Sequence, residues 1–426
     1  MPDNQYLIPK IDNPFDVSIA LPGSKSIALR QMAMCTMTEG KSVLRGVPIC
    51  DDILAMEDCL KKLGLLVTAK EDVMEITGPM NLSAPVSLDA RMSGASTRLL
   101  IALAALRDGT THIDGHESLR ARTNKPLLEV LESAGCKVDS AEGHLPLSIK
   151  GPIKTVSSLR IDGSLSSQYA TALLLMAAGH NEQVNSQVVI SGELVSKPYI
   201  DITLNEMKKR GVHASWRGDQ EIQIDKTTRY QNEEVLIEGD ATAATYAATL
   251  ACIHEGTVTF KNLGDQSLQG DYQYFQILRE MGATVSSTSG TTTVQGPKQF
   301  RKLATADMKN MPDAALTLIA LAPLLQEELT ISGLSSLHHK ECDRLECSAT
   351  ELLKMGITVE KTHETITIQP TARRNIQKAT LSTYHDHRMA MAFSLIGSVC
   401  GQLTVDDKNV VDKTYPNFWK DYENLC

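Results

Sequence analysis

One pattern recurs six times along the chain and constrains its fold more than any other feature of the sequence. Each copy has a short residue such as Gly, Ser or Asp, followed by a run rich in Ala, Leu and Met that is long enough for a buried helix. The copies begin at Gly23, Ser93, Gly163, Gly239, Pro312 and Asp386. Their starts are 70, 70, 76, 73 and 74 residues apart, a regularity that chance does not produce. The chain is therefore predicted to consist of one structural unit repeated six times.

Predicted strands and a second helix complete each copy. A short alternating strand precedes the first helix, as at 86–89, and another follows it, as at 111–115. Further strands close the copies, so each unit is predicted to be β-α-β-α-β-β. In five copies the second helix ends at a glycine suited to a left-handed C-cap, at Gly64, Gly135, Gly211, Gly282 and Gly356.

The size of the unit indicates how the copies are grouped. A unit of about 70 residues is too small to hold much core alone, so three units per domain are expected. The predicted fold class is α/β, with two pseudo-threefold domains. An ordinary parallel α/β sheet is the alternative, and the regular recurrence of paired strands argues against it.

Charge and composition exclude several classes of function. The chain has 42 basic and 51 acidic residues, a net charge of −9, so no nucleic-acid partner or anionic membrane surface is expected. Apolar runs such as 99–106 are far shorter than a membrane span, and residues 1–5 do not resemble a signal peptide. Nine scattered cysteines without a Cys-x-x-Cys pair are predicted to be small core residues in a reducing compartment. We therefore expect a cytoplasmic protein.

Basic residues cluster at the predicted helix starts and in the adjoining loops. A helix N-terminus exposes unpaired N–H groups and partial positive charge, which suit a carboxylate or phosphate. In an acidic protein, this placement predicts a small polyanionic ligand bound between the domains. The basic residues concerned are Lys25, Arg30, Arg98, Arg122, Lys340, Arg344, Arg388 and Lys413.

Ordinary structural interpretations remain open for several of these positions. Lys25 could be a solvated lysine after a turn, because its Gly-x-Lys-Ser context lacks the glycine spacing of a P-loop. Serines at a helix start commonly act as caps, and isolated carboxylates are commonly caps or surface charges. These interpretations apply to Ser166, Ser167, Asp313 and Glu341. No complete metal-ligand set with a recognised spacing is formed by the candidate ligands His338, His339, Cys342, His385 and His387.

Six longer motifs are more specific. They are Leu-Pro-Gly-Ser-Lys-Ser (21–26) with Arg30, Asp-Gly-Ser-Leu-Ser-Ser-Gln-Tyr (162–169), Val-Ser-Lys-Pro-Tyr-Ile-Asp-Ile-Thr-Leu (195–204), Pro-Asp-Ala-Ala (312–315), Lys-Glu-Cys-Asp-Arg-Leu (340–345) and Asp-His-Arg-Met-Ala-Met (386–391). With these motifs the chain resembles the 5-enolpyruvylshikimate-3-phosphate (EPSP) synthase family over nearly its whole length. The resemblance implies two inside-out α/β barrels of three repeats each, formed by 1–21 plus 240–426 and by 22–239, with the active site in the interdomain cleft.

The resemblance also implies an activity and its binding residues. The reaction would transfer the enolpyruvyl group of phosphoenolpyruvate to the 5-hydroxyl of shikimate 3-phosphate and release phosphate, without a cofactor or metal, in a monomer. The residues implied to bind shikimate 3-phosphate are Lys25, Ser26, Arg30, Ser166, Ser167, Gln168, Ser196, Tyr199, Asp313, Ser336 and Lys340. Those implied to bind phosphoenolpyruvate are Lys25, Gly94, Arg122, Gln168, Arg344, Arg388 and Lys413.

The expected chemistry is addition followed by elimination, which needs a base for the hydroxyl and an acid for the methylene carbon. By resemblance, Asp313 is the expected base, and Glu341, helped by Lys25, is the expected acid. Asp52 and His387 match supporting positions. Domain closure is expected to expel water and to assemble the site from both halves.

Some positions depart from the pattern of the family. Met92 replaces an asparagine and cannot donate an amide hydrogen bond to phosphoenolpyruvate, and Arg91 is a candidate to compensate. Ser336 replaces another asparagine near the phosphate of shikimate 3-phosphate. Ala95 and Leu99 also differ from the usual residues. These departures bear on phosphoenolpyruvate affinity and on sensitivity to glyphosate.

Two alternatives remain at this point. A specialised or non-catalytic anion-binding paralogue would keep the cations, although it would have no need for both Asp313 and Glu341. The related transferase acting on UDP-N-acetylglucosamine usually has an asparagine after the first lysine and a loop cysteine. This chain has Ser26 in that place and no cysteine in 118–122.

Overall fold

The computed structural model describes residues 4–154, 158–179, 187–225 and 227–426. The chain divides into two compact units. Unit 1 comprises Met1–Pro22 and Glu238–Cys426, and unit 2 comprises Gly23–Ile237. The division falls one residue from the first predicted boundary, 21/22, and two residues from the second, 239/240.

Unit 2 contains helices and strands in the predicted alternation. We number the elements of both units together in chain order. Its strands are β3 (Gly40–Arg45), β4 (Leu66–Lys70), β5 (Val73–Gly78), β6 (Val86–Asp89), β7 (Thr111–Asp114), β8 (Lys137–Ala141), β9 (His144–Lys150), β10 (Leu159–Asp162), β11 (Gln187–Ser191), β12 (Ala214–Arg217), β13 (Glu221–Ile224) and β14 (Glu234–Leu236). Its helices are α1 (Lys25–Cys35), α2 (Asp51–Lys62), α3 (Gly94–Ala104), α4 (Glu117–Arg120), α5 (Lys125–Ser133), α6 (Ser167–Gly179) and α7 (Pro198–Lys209).

Unit 1 repeats this alternation and adds several short 3₁₀ segments. Its strands are β1 (Tyr6–Leu7), β2 (Asp16–Ile19), β15 (Thr257–Phe260), β16 (Thr284–Ser287), β17 (Thr292–Gln295), β18 (Thr305–Asp307), β19 (Leu329–Ser332), β20 (Val359–Lys361), β21 (Ile366–Ile368), β22 (Ala379–Leu381) and β23 (Leu403–Val405). Its helices are α8 (Ala241–Ile253), α9 (Tyr274–Glu280), α10 (Ala315–Leu321), α11 (Arg344–Lys354), α12 (His387–Cys400) and α13 (Phe418–Glu423). The 3₁₀ segments are Gly270–Gln273, Ala322–Leu324, Ser335–His339, Arg373–Asn375 and Lys408–Lys413.

Five of the six sheets formed by the described residues share one plan. In the order β6-β7-β9-β8, the first two strands are parallel, and the second pairs antiparallel with one arm of a hairpin. The same plan gives β10-β11-β13-β12, β14-β3-β5-β4, β2-β15-β17-β16 and β18-β19-β21-β20. In the sixth sheet, β22-β23-β1, the antiparallel β1 takes the place of the hairpin. The predicted mixed α/β class is confirmed, and the six repeats are visible in the sheets.

Two of the repeats exchange their first strands. β2, which immediately precedes α1, pairs parallel with β15 through Val17 and Val258. β14, which precedes α8, pairs parallel with β3 through Val235 and Leu44. The prediction of six continuous β-α-β-α-β-β segments is therefore wrong for the first and fourth repeats. It is also wrong for the sixth, in which a 3₁₀ segment and α13 follow β23 in place of the closing strands. The chain passes from one unit to the other after β2 and again after β14. The strand therefore belongs to one unit, and the helix that follows it belongs to the other.

The first helices of the repeats form the interior of each unit. α1, α3 and α6 pack against one another in unit 2, and α8, α10 and α12 do so in unit 1. Their Ala-, Leu- and Met-rich sequences are apolar around most of the helix, which suits an element buried on all sides. The N-termini of α1, α3, α6, α10 and α12 carry many of the predicted site residues, and the others lie on second helices, in 3₁₀ segments and in loops.

The predicted glycine stops are confirmed at the ends of the second helices. Each of the five glycines has a positive φ, with values of 93, 92, 79, 102 and 76° in chain order. In each case the next residue donates its N–H to a carbonyl five residues earlier, as in Leu65 to Leu60 at 3.1 Å. This Schellman arrangement requires the left-handed conformation that glycine adopts without strain.

The cysteines largely follow their predicted placement. Six are buried, Cys342 and Cys400 are half-buried, and Cys426 is exposed, so the prediction of core cysteines is wrong for Cys426. All nine have free thiols. Among the helices of the described segments, none has both the length and the apolar character needed to cross a membrane.

Candidate functional site

Carboxylates and cations from several helix starts form one connected group in unit 1, which we call the acid–base cluster. Asp313 lies just before α10, Glu341 just before α11, and Asp386 at the N-cap of α12. Four cations contact these carboxylates within the described part of the unit. They are Lys340, Arg344, Arg388 and Lys413.

Asp313 is contacted by three of these cations. Its Oδ1 accepts from Lys340 Nζ at 3.2 Å and from Arg344 Nη1 at 2.9 Å, and its Oδ2 accepts from Arg388 Nη2 at 3.1 Å. Burial alone would raise the pKa of Asp313, but the three cations outweigh burial and hold that pKa well below its usual value. The carboxylate is therefore ionised and able to accept a proton.

Glu341 contacts two cations of the cluster, Arg344, which also contacts Asp313, and Lys413. Its Oε2 accepts from Arg344 Nη2 at 2.9 Å, and its Oε1 accepts from Lys413 Nζ at 2.8 Å. Arg344 is fixed from behind by the buried Asp386, with Nε to Oδ2 at 2.7 Å and Nη2 to Oδ1 at 3.2 Å. Burial would lower the pKa of Arg344, but the surrounding carboxylates raise it above its usual value. Arg344 thus links all three acids of the cluster.

Local helix capping places these side chains. Asp386 Oδ1 accepts the backbone N–H of Arg388 at 2.9 Å, which caps α12 and fixes the carboxylate beside Arg344. His387 is buried, and its Nδ1 lies 3.5 Å from Asp386 Oδ1. The predicted supporting position of His387 therefore lies next to the cluster, beside the carboxylate of Asp386.

Sequence reasoning missed Asp271 and Tyr246. Tyr246 OH is 3.4 Å from Arg388 Nη1. Asp271 is buried in a 3₁₀ segment, and one of its oxygens accepts from the Thr242 hydroxyl while Oδ1 has no hydrogen-bond partner among the described residues. Burial, and then the negative charge of Asp313, raise the pKa of Asp271 to about 7. Neither residue lies in one of the six motifs, so only the tertiary contacts identify them.

In unit 2, Lys25 and Asp52 form the first part of the predicted site. Lys25 is the first residue of α1, and its Nζ lies 2.8 Å from Oδ2 of Asp52, which is 2% exposed in the first turn of α2. The turn before α1 depends on glycine, because a Cβ on Gly23 would lie 1.8 Å from the carbonyl oxygen of Gly46. The close approach of the backbone at Gly23 and Gly46 therefore determines the position of Lys25 at the start of α1.

Arg30 is buried and braces three helices of unit 2. Its guanidinium donates to the carbonyl oxygens of Ser26 at 2.6 Å and Tyr199 at 3.0 Å, and to the hydroxyls of Thr203 at 2.9 Å and Thr171 at 3.3 Å. Burial lowers the pKa of Arg30 to about 10. The structure thus gives Arg30 a role in holding the backbone of two predicted binding residues, and its contact with a substrate stays a prediction.

Two arginines converge on the start of α3. A Cβ on Gly94 would lie 2.6 Å from Nη1 of Arg98 and 2.9 Å from Nη1 of Arg122. Arg98 Nη1 also donates to the carbonyl oxygen of Gly94 at 2.9 Å. Two guanidinium groups beside a helix N-terminus suit an anion. Arg98, which sequence reasoning singled out only for its charge, therefore belongs to this part of the candidate site.

Arg91 is placed differently from the expectation that it compensates for Met92. Its Nη1 lies 2.6 Å from Asp51 Oδ1, and its Nη2 lies 2.6 Å from Asp58 Oδ2. Both carboxylates belong to α2, so the guanidinium of Arg91 is already engaged. The suggested compensation is not supported.

The remaining predicted residues lie at the starts of other helices or in short turns. Ser166 Oγ accepts the backbone N–H of Gln168 at 3.2 Å, which confirms the capping interpretation of that serine. Ser196 is buried with a φ of 58°. The binding residues of unit 2 that complete the predicted set are Ser26, Ser166, Ser167, Gln168, Ser196 and Tyr199, and Ser336 lies in the 3₁₀ segment before Lys340 in unit 1. Within the described ranges, no group of three or more His, Cys, Asp or Glu side chains is arranged to hold a metal ion.

Comparison with known proteins gives consistent results over nearly the whole chain. The family model described as EPSP synthase (3-phosphoshikimate 1-carboxyvinyltransferase) matches residues 9–422. A protein named 3-phosphoshikimate 1-carboxyvinyltransferase from Cronobacter sakazakii is 35% identical over 415 residues, covering 95% of each chain. One of the same name from Sulfurovum sp. is 35% identical over 418 residues, covering 96% of each chain. The solved EPSP synthase structure from Acinetobacter baumannii aligns with a TM-score of 0.81 at 21% identity, covering 99% of this chain and 98% of that one, which shows the likeness of fold.

Proposed function

The chain belongs to the EPSP synthase family, and we propose that it has the activity for which its curated relatives are named. It transfers the enolpyruvyl group of phosphoenolpyruvate to the 5-hydroxyl of shikimate 3-phosphate and releases phosphate, in the pathway to aromatic amino acids. The observation that best supports this is the acid–base cluster, in which two carboxylates, Asp313 and Glu341, are joined through Arg344. Pure anion binding would need the cations but not both acids.

The two carboxylates have different roles in the proposed addition step. Asp313 accepts the proton of the 5-hydroxyl as its oxygen attacks the enolpyruvyl carbon, and Glu341, assisted by Lys25, supplies a proton to the methylene carbon. The resulting tetrahedral adduct loses phosphate when the same groups act in the opposite sense. Arg344 holds both carboxylates at 2.9 Å, which supports their acting on neighbouring atoms.

Binding of the anionic substrates would change the pKa of the proposed base, Asp313. Phosphoenolpyruvate and shikimate 3-phosphate together bring two phosphates and two carboxylates, which compete with Asp313 for its cations. When Lys340, Arg344 and Arg388 turn to these anions, the pKa of Asp313 rises towards its usual value, because the cations that lowered it are shared. Asp313 then becomes a stronger base at the time its proton transfer is needed.

Further features follow from the same proposal. Each unit would be an inside-out α/β barrel of three repeats, an arrangement supported by the packing of three apolar helices in each unit. By resemblance to the family, Lys25, Gln168 and Arg122 of unit 2 are proposed to bind the phosphates and carboxylates of the substrates. We also propose a cytoplasmic monomer, which light scattering of the purified protein and fractionation of the source cells would check.

The proposal is tested by phosphate release from shikimate 3-phosphate and phosphoenolpyruvate. We expect turnover by the wild-type protein, and a loss of several orders of magnitude in kcat for Asp313→Asn with nearly unchanged binding of shikimate 3-phosphate. Asp12→Asn is a matched control, because Asp12 is an exposed carboxylate of the same unit, paired with Lys10 at 2.6 Å. A folded wild-type protein that binds shikimate 3-phosphate without releasing phosphate would instead support the non-catalytic paralogue.

A further inference from the structure

His338 makes two hydrogen bonds that span the loop carrying Lys340 and Glu341. It lies in the 3₁₀ segment that ends one residue before Lys340. Its Nδ1 is 2.7 Å from Oδ2 of Asp343, and its Nε2 is 2.9 Å from the carbonyl oxygen of His363. The contact with Asp343 closes a loop of six residues, 338–343, which contains both predicted site residues.

The hydrogen-bond chemistry of these contacts identifies the protonation state of His338. A backbone carbonyl oxygen only accepts, and an ionised carboxylate only accepts. Neutral imidazole has one N–H, whereas imidazolium has two, so both contacts are satisfied only by the charged ring. Asp343 is suited to the ionised form, because its Oδ1 also accepts the backbone N–H of Glu346 at 3.0 Å.

The charged groups around His338 agree with this assignment. Burial alone would lower the pKa of His338, but its bonds to Asp343 and to the carbonyl of His363 raise it above the usual value. Lys361 of β20 opposes protonation, although its Nζ is paired with Glu346 Oε2 of α11 at 2.6 Å. The ring of His363 stacks on that of His338, with centroids 4.3 Å apart.

We propose that His338 is a positioning residue for the transfer reaction: as an imidazolium, it holds both ends of the 338–343 loop and thereby fixes Lys340 and Glu341 against Asp313 and Arg344. This rests on the roles proposed above for Lys340 and Glu341. Both side chains emerge between the two anchors of the loop, and both make contacts of about 3 Å with the acid–base cluster, Lys340 to Asp313 at 3.2 Å and Glu341 to Arg344 at 2.9 Å. Loss of one ring proton removes one anchor and loosens the loop.

The proposal predicts an alkaline decline in activity that depends on residue 338. As the pH rises through the pKa of His338, kcat of the wild-type protein is expected to fall by roughly tenfold, because small displacements of reacting groups cost this much or more. His338→Arg supplies a cation that does not lose its charge, so its kcat should stay level where that of the wild type declines. His338→Gln should be low throughout this pH range and should lack the decline.

The experiment compares kcat and KM of these three proteins from about pH 6 to 9, together with His112→Gln. His112 is an exposed histidine of β7 in unit 2, outside the candidate site, so its variant should keep the wild-type profile. Titration of the His338 ring by NMR measures its pKa directly, and Asp343→Asn should lower that pKa even if activity is lost.

Two results would overturn the positioning role while the proposed function stands. One is an active wild-type protein whose alkaline decline persists in His338→Arg. The other is a His338 ring that NMR shows to be neutral at pH 6. A wild-type protein without turnover would overturn the proposed function, so the two failures are distinguishable.

Discussion

Replacement of Arg344 by methionine should destabilise unit 1 through one particular neighbour. Asp313 keeps Lys340 and Arg388 as partners, and Glu341 keeps Lys413. Asp386 differs, because it is fully buried and Arg344 is the cation that contacts both of its oxygens, at 2.7 and 3.2 Å. Removing one partner of a buried ion pair costs about 3–5 kcal/mol, since the other charge stays behind in the interior.

Equilibrium unfolding in urea and thermal unfolding measure this cost. For a unit of this size, a loss of 3–5 kcal/mol lowers Tm by about 6–20 °C.

A double variant separates the ion pair from simple loss of packing. Arg344→Met with Asp386→Asn removes both charges but keeps a side chain able to cap α12, so most of the lost stability should return. The reasoning would be refuted if Arg344→Met cost less than about 1 kcal/mol, or if adding Asp386→Asn made the protein less stable still.

Three further substitutions have defined outcomes. Gly94→Ala places a Cβ 2.6 Å from Arg98 Nη1 and 2.9 Å from Arg122 Nη1. The KM for phosphoenolpyruvate should therefore rise roughly tenfold or more while Tm stays unchanged. An unchanged KM would contradict this expectation. Met92→Asn adds an amide donor and should lower KM for phosphoenolpyruvate about 5- to 100-fold while lowering the glyphosate concentration needed for inhibition, as initial rates would show. Burial raises the pKa of Asp271 to about 7, so its contribution to stability falls by up to about 4 kcal/mol as the pH rises from 4 to 7. The stability of the wild type relative to Asp271→Asn, measured by urea unfolding, should therefore fall over this pH range.

The sequence was most informative where a local pattern determines a local structure. The spacing of the Ala- and Leu-rich runs predicted the first helices, because a helix that is apolar on most sides must be buried. The glycine stops were predictable for the same reason, since a left-handed residue at a helix end is a strictly local requirement. Strand partners were less predictable. The alternation in β2 and β14 indicates that each is a strand but carries no information about which strand it joins.

The candidate site shows a similar limit. Motifs and charge located Asp313, Glu341 and Arg344, which the fold brings into contact. Asp271 could not be found in this way, because its importance comes from burial and from the nearby charge of Asp313 rather than from its neighbours in sequence. Arg91 shows the opposite error: a cation close in sequence to a predicted binding residue is held by the carboxylates of another helix.

The exchanged strands have a consequence for biosynthesis of the chain. β2 is made almost at once, but its partner β15 lies 241 residues later, as the pairing of Val17 with Val258 shows. At about 5–20 residues per second, the ribosome needs roughly 12 to 50 s to supply that partner. Unit 2, by contrast, is a continuous stretch that includes both β3 and β14, so it can complete its own sheets first. The strand β2 therefore stays unpaired while the whole of unit 2 is synthesised between it and β15. The nascent chain is most exposed to wrong strand pairing during this interval.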